Sequence, residues 1–355
     1  MQISIGISVK GSRTSGSAPV NSSPPVISGA TTLGSVLTTT NGTWTFTILF
    51  SYQWNRNGSP IPSATTSTYT LVQADSASAI TCVVTATDAE GSTPSTSNTL
   101  TTPTYVTDPD AQAFITATAI TDTTQQNAID ALVIGLKTDL LWTKMLAIYP
   151  FVGGTATTCK FNLKTPLDTN GAFRLNFVGG WTFSNNGVTP NGITAFADTF
   201  FSPSVNWVLG NSSFSVYSRV NNSEAGVLMG TRSLAFASNL SLNLRNGGSS
   251  QLYHNTNAGA TLAPPSSAIN FISSRINTTE VITTQNASST STLSGENELS
   301  TFPIYISAQN FTGTASTFST RNLAFAHIGT GLTQAECILL YNRIQTFQTT
   351  LSRQV

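Results

Sequence analysis

The sequence predicts a mainly β chain: a small antiparallel sandwich, then a larger two-sheet jelly roll, with a short helical connector between them and a helix at the C-terminal end. Three observations predict it. Short runs of alternating apolar and polar residues recur through most of the 355 residues, separated by Gly, Asn and Ser pairs. Charged residues make up only 8%, against roughly 25% in ordinary soluble domains. Thr (58), Ser (44) and Asn (28) supply the polar surface instead, while 39% hydrophobic content and 19 Phe argue against a disordered chain.

The same composition excludes several functions. Fifteen basic side chains balance fifteen acidic ones, so the basic patch that nucleic acid or an anionic membrane needs is not expected. No stretch approaches the roughly 18 apolar residues of a membrane span, and membrane insertion is not expected. The first ten residues lack the basic region and apolar core of a secretory signal. Cys82, Cys159 and Cys337 are too few and too scattered for a disulfide framework or a zinc site and read as plain buried thiols.

Residues 1–25 read as an arm and linker. Ile3, Ile5, Ile7 and Val9 alternate with Gln2, Ser4, Gly6 and Ser8, and a Gly/Ser/Pro-rich stretch follows. Such a strand either folds back on the next domain or adds to a sheet edge in a neighbouring subunit. Residues 26–104 show short strands with turn signals about every 8–12 residues, the pattern of a sandwich. Trp54 lies on a strand running into Asn57-Gly58, and Ile80, Cys82, Val84 and Ala86 share one face. Residues 105–148 read as a helical connector packed between the two β parts. Pro109 opens a short helix with Ala111, Phe114 and Ile115 on its apolar side. Asp122-Thr123-Thr124-Gln125 has capping-box spacing before Ile129, Leu132, Val133 and Leu136. Residues 149–355 hold strand-like runs from Phe173 through Ile328, more than one small sandwich needs. The chain then ends in a helix capped by Thr333 and Glu336, with Ile338, Tyr341, Ile344, Phe347 and Leu351 or their neighbours as the apolar stripe.

Trp54 and Cys82 set on inner faces, together with Gly29-Ala30-Thr31, Gly42-Thr43-Trp44, Ser67–Leu71 and the Ala74-Asp75 corner, resemble the bacterial and phage immunoglobulin-like repeats. That family's first disulfide cysteine, expected near Val36 or Leu37, is absent, so Cys82 is expected to be a free thiol. The strand and helix from Ala324 to Glu336, the segment Ala147–Gly154, and Gly179-Gly180-Trp181 through Asn191-Gly192 resemble the concanavalin A-like lectin/glucanase superfamily, particularly its laminin G-like phage and bacterial members. The two resemblances in this order are similar to tailed-phage virion structural proteins. They imply an immunoglobulin-like sandwich followed by a concanavalin A-like jelly roll.

The Glu-x-Asp-x-x-Glu strand of a lectin-fold glucanase is missing. Glu296 and Glu298, the nearest pair, sit among Gly and Ser as in a solvated turn. His254 and His327 are the two histidines; His327 reads as a hydrogen-bonded structural group, and His254, beside a loop, as the one more available to a ligand. Asp168, Asn170 and Asp198 could lend oxygen ligands to calcium, but no complete loop motif assigns a metal, and no cofactor is expected. A glycan site needs aromatic faces and amide hydrogen bonds, for which Trp181, Asn185, Asn186, Tyr253 and His254 are the candidates.

These readings lead to a non-enzymatic structural protein displayed on a bacteriophage virion surface, as a fibre or a capsid decoration. It would dock to other virion proteins through Ile3, Ile5, Ile7 and Val9 and adhere to host or mucus glycans. The resemblance implies a homo-oligomer, a trimer foremost. The alternatives are a tail-fibre receptor-binding lectin and a polysaccharide depolymerase, the latter disfavoured by the missing carboxylate motif.

Overall fold

A strand with one apolar face needs a second layer to cover it, and this chain meets that need in two separate units. The computed structural model describes residues 16–45, 49–103, 105–220, 224–234, 238–243, 250–257, 259–262 and 269–354. The units are Met1–Tyr105 and Val106–Val355. The predicted docking strand with Ile3, Ile5, Ile7 and Val9 lies outside the described residues, as do Asn246-Gly247-Gly248.

In the first unit the long strands Leu49–Arg56 and Ala79–Thr87 pair antiparallel and are flanked by Leu100–Thr101, Ser92–Thr96 and Ser59–Pro60. A three-stranded sheet of Ile27–Ser28, Val36–Thr39 and Thr68–Thr70 accompanies them. Asn57 and Gly58 both take positive φ, 48° and 80°. This is the two-residue turn that Asn-Gly favours because its twist matches that of the strands it joins. Strict alternation in Ala79–Thr87 sends Ile80, Cys82, Val84 and Ala86 inward, where the first three meet Trp54, Leu37, Ile27 and Leu71. Trp54 and Cys82 are direct cross-strand partners on one sheet, rather than facing each other from opposite inner faces. Cys82 is a free, buried thiol. At the corner, Asp75 accepts from Arg56 Nε at 2.7 Å, Tyr69 Oη at 2.9 Å and the Val72 N–H at 2.8 Å.

The second unit is a two-sheet sandwich with a helical layer. Among the described residues, one sheet runs in the order Trp181–Ser184, Gly187–Pro190, Leu323–Gly329, Ser212–Ser218, Ile269–Arg275, Glu280–Gln285 and Ser288–Leu293, with Met145–Tyr149 also paired to Leu323–Gly329. The other runs Asn176–Val178, Phe196–Asp198, Tyr305–Ile306, Met229–Arg232, Leu240–Asn243, Ser250–His254 and Ala260–Leu262, with the hairpin Gln309–Phe311 and Thr314–Ser316 joined through Met229–Arg232. Phe214, Val216, Phe271 and Ile328 from the first sheet meet Met229, Leu240, Leu242 and Leu252 from the second in one apolar core.

The next residues along the same strands, Tyr217, Ile272, Ile282 and Phe325, point the other way and meet the helices. Those helices are Pro109–Thr118, Thr123–Thr138 and Gln334–Thr350. Asp108 caps the first through the Asp110 N–H, and Asp122 caps the second through the Gln125 N–H. The Gln125 side chain does not complete the predicted box; its Oε1 accepts from the Gly153 N–H at 2.7 Å. The terminal helix carries the full reciprocal box of Thr333 and Glu336. Its buried stripe is Cys337, Leu340, Ile344 and Phe347, so Ile338 and Tyr341 fall at its margin. Thr123–Thr138 and the terminal helix approach closely at Gly135, where an added Cβ would lie 2.8 Å from Arg343 Cδ. Arg343 in turn pairs with Asp139 at 2.7 Å. No helix of the described residues is long and apolar enough to cross a membrane.

Trp54 is fully buried and Leu49, on the same strand, is 64% exposed. Trp54→Ala should therefore destabilise the first unit by about 3–5 kcal/mol, while Leu49→Ala should stay within about 0.5 kcal/mol. Denaturant unfolding followed by circular dichroism measures both, and equal effects would contradict this packing.

Candidate functional site

Alternation on the strands of the second sheet decides where polar chemistry collects. Leu240, Leu242 and Leu252 enter the core, so Ser241, Asn243, Gln251 and Tyr253 take the opposite face. Registry then places them side by side. Ser241 pairs with Tyr253 and Asn243 with Gln251; Ser241 pairs on its other side with Gly230. Gly230 pairs with Gln309, and Gln309 with Ser316. A row Tyr253, Ser241, Gly230, Gln309, Ser316 thus crosses five strands at about 4.8 Å per step.

This row floors a cleft of about 440 Å³, whose walls include Arg232, Asn239, Asn243, Gln251 and Asn257. Gly230 is needed where it stands, because a Cβ there would meet Gln309 Oε1, the Leu240 carbonyl and Val227 at 2.9 Å. Asn239, Ser241 and Gln309 are buried in the floor. The Arg232 guanidinium lies 4.4 Å from the Phe311 ring centre, and burial lowers its pKa. Tyr253 Oη donates to Gln251 Oε1 at 3.4 Å, and Gly259 packs so closely on the phenol end of the ring that a Cβ there would lie 2.6 Å from it. Amide, hydroxyl, phenol and guanidinium groups around one apolar ring are suited to holding a polyhydroxylated ligand by hydrogen bonds and ring contact.

Of the residues predicted from sequence, Tyr253 lines this cleft. His254 does not, and its predicted availability to a ligand is corrected. It ends a strand beside a loop, but its ring turns into the core, and both nitrogens are held by serines, Nε2 to Ser212 Oγ at 2.9 Å and Nδ1 to Ser273 Oγ at 2.8 Å. Trp181 belongs to the other sheet, where its ring packs at 5.1 Å from Phe177 and its Nε1 donates to the Val178 carbonyl. Asn185 and Asn186 form the exposed two-residue turn of the following hairpin. Asn185 Oδ1 is 3.5 Å from Gln125 Nε2. The structure therefore does not gather these five residues into one site.

The cleft's other polar residues went unread in the sequence, although Leu240-Ser241-Leu242-Asn243 and Gln251-Leu252-Tyr253-His254 carry the alternation that marks a polar outer face.

Three of the four carboxylates singled out from the sequence have structural partners. Asp168 binds Lys160 and Arg174, and Asn170 Oδ1 accepts from Arg174 Nε. Asp198 accepts from the Phe200 N–H, and burial raises its pKa. Glu296 accepts from the Gly210 N–H and from Asn255 Nδ2, so it ties loops together, while Glu298 is exposed. No group of three or more His, Cys, Asp or Glu among the described residues could hold a metal ion.

No protein-family model matches the sequence, and no curated protein matches it. Solved structures to which this chain shows a likeness include the NanB sialidase of Streptococcus pneumoniae, at 11% identity and TM-score 0.31 over 37% of this chain and 24% of that one. Domain 4 of AbnA, a GH43 arabinanase of Geobacillus stearothermophilus in complex with arabinotriose, matches at 13% and 0.36 over 56% of this chain and 98% of that one. The Trypanosoma rangeli sialidase matches at 9% and 0.35 over 89% and 52%. The chain thus spans about a quarter and about half of the two sialidases. All three names are those of glycoside hydrolases or a domain of one, and the expectation of a non-enzymatic protein is withdrawn on that finding. Likenesses of this degree carry no substrate or reaction to this chain.

The two histidines make acid stability testable. His327 sits between Ser213 Oγ at 3.1 Å and Ser215 Oγ at 2.6 Å, and burial holds its pKa at about 3, below the ordinary 6.5. His254 is likewise depressed by burial. The unfolded chain therefore takes up these protons first. Stability is intact above pH 6.5 and drains away as the pH falls from there towards 3, by at most about 1.4 kcal/mol per pH unit for each histidine. His327→Gln should flatten the slope of unfolding free energy between pH 6.5 and 4 relative to the parent; an unchanged slope would remove His327 as a source.

Proposed function

We propose that the second unit binds a glycan in the cleft on the outer face of its second sheet. The observation that carries this reading is the cross-strand row Tyr253, Ser241, Gln309, Ser316, which presents a ring and several amide and hydroxyl groups from rigid, paired strands. Such a surface matches a ligand of many hydroxyls and apolar ring faces. The near-absence of charge in the chain as a whole suits a neutral or weakly charged polymer.

Where the protein acts is a separate part of the proposal. Display on a bacteriophage virion surface, as a trimer docked to other virion proteins through Ile3, Ile5, Ile7 and Val9, rests on the sequence alone, and the comparisons add nothing to it. Proteomics of purified particles tests it; a chain recovered only away from particles would end it.

Immobilised glycans, scored for binding and for release of reducing sugar, test the site. Tyr253→Ala should weaken binding about ten-fold through loss of a ring contact worth about 1–1.5 kcal/mol, and Tyr253→Phe should retain most of it. Full affinity in Tyr253→Ala would place the site elsewhere.

A further inference from the structure

This inference rests on the cleft being a glycan site and concerns how long a glycan it holds. Asn239 and Asn243 line the cleft, and the side-chain oxygen of each is buried and accepts no hydrogen bond among the described residues. Asn239 is only 4% exposed. The orientation of Asn243 is set by its own partner, since its Nδ2 donates to the Ala225 carbonyl at 2.8 Å and turns Oδ1 away. Unmet buried acceptors are destabilising and rare. Two of them in one polar cleft are met when a ligand brings O–H or N–H donors.

Their spacing carries the inference further. Asn239 immediately precedes the strand Leu240–Asn243, and the alternation that turns Leu240 and Leu242 inward puts Asn239, Ser241 and Asn243 on one face. Four residues of extended chain cover about 13 Å at about 3.3 Å each. That is longer than one sugar ring. Ser241 lies midway, flanked by Tyr253 across the strand pair.

We propose that the cleft takes an extended oligosaccharide laid along Leu240–Asn243. Hydroxyls of one sugar residue complete Asn239, those of a different residue complete Asn243, and the sugar between them lies beside Tyr253. A monosaccharide reaches only one of the two amides.

Calorimetric titration of the full chain with gluco-, xylo-, manno- and arabino-oligosaccharides of one to six residues tests this. In a series that binds, affinity should climb at least about ten-fold between one residue and three or four, then level off, as each added set of hydrogen bonds contributes. Asn239→Leu and Asn243→Leu should each weaken hexamer binding about five- to ten-fold; the melting temperature of Asn239→Leu should hold or rise because an unmet acceptor is removed, and that of Asn243→Leu should fall with the loss of its bond to the Ala225 carbonyl. Asn243→Ala serves as a second variant if either leucine disturbs folding. Affinity independent of chain length, or parental hexamer binding in both Asn243 variants, would overturn the extended ligand and leave the glycan site standing. Failure of every series to bind would overturn the glycan reading and this inference with it.

Discussion

Burial of one strand pair on both faces is the constraint on which the second unit depends. Ser212–Ser218 and Leu323–Gly329 are buried at every position. One face feeds the core between the sheets and the other the helical layer. An antiparallel sheet with a solvated face can leave its serines to water; this one cannot. Each polar side chain on it must find a protein partner, and the serine–histidine–serine bridges do that for His254 and His327. Burial also keeps both imidazoles neutral, so each can donate through one nitrogen and accept through the other.

The same constraint explains where several of the few charges went. Arg275 and Arg353 are fully buried, yet bind mainly backbone carbonyls rather than carboxylates. Arg353 donates to the carbonyls of Pro150, Phe151 and Ala324 and to Gln348 Oε1, and burial lowers its pKa to about 9. Arg275 donates to the carbonyls of His254, Glu280 and Ser294. These guanidiniums act as multivalent clasps, each holding backbone carbonyls from several chain segments. The bond to the His254 carbonyl bears on the cleft: it holds the end of the strand whose outer face carries Gln251 and Tyr253. Side chains carried on a strand held in this way keep fixed positions.

Much of the local structure was legible because local rules apply without help from distant residues. The Asn57-Gly58 turn, the Asp108, Asp122 and Thr333 caps, and the inward face of Ile80, Cys82, Val84 and Ala86 follow from backbone preference and alternation. Features that needed a partner were missed. Gln125 has the spacing of a capping box, but its amide serves Gly153 instead. The stripe of the terminal helix is phased by the sheet beneath it, which favours Cys337 over Ile338. His254 reads as loop-adjacent in a linear sequence because residues on both sides are polar, whereas a tyrosine and a histidine in succession must face opposite ways on a strand.

The sequence by itself determined the class of the protein: sheet-forming alternation, capped helices, and a surface of hydroxyls and amides with scarcely any charge. Each of these depends on residue type and on spacing of a few positions, which a chain carries whatever its fold. Only the tertiary structure decided the cleft. Its row draws on residues 230, 241, 253, 309 and 316, and the parallel pairing of Gly230 with Gln309 joins strands nearly 80 positions apart. Strand register over such separations is set by the packing of two sheets against each other, and a slip of one residue would have turned Tyr253 inward and His254 out.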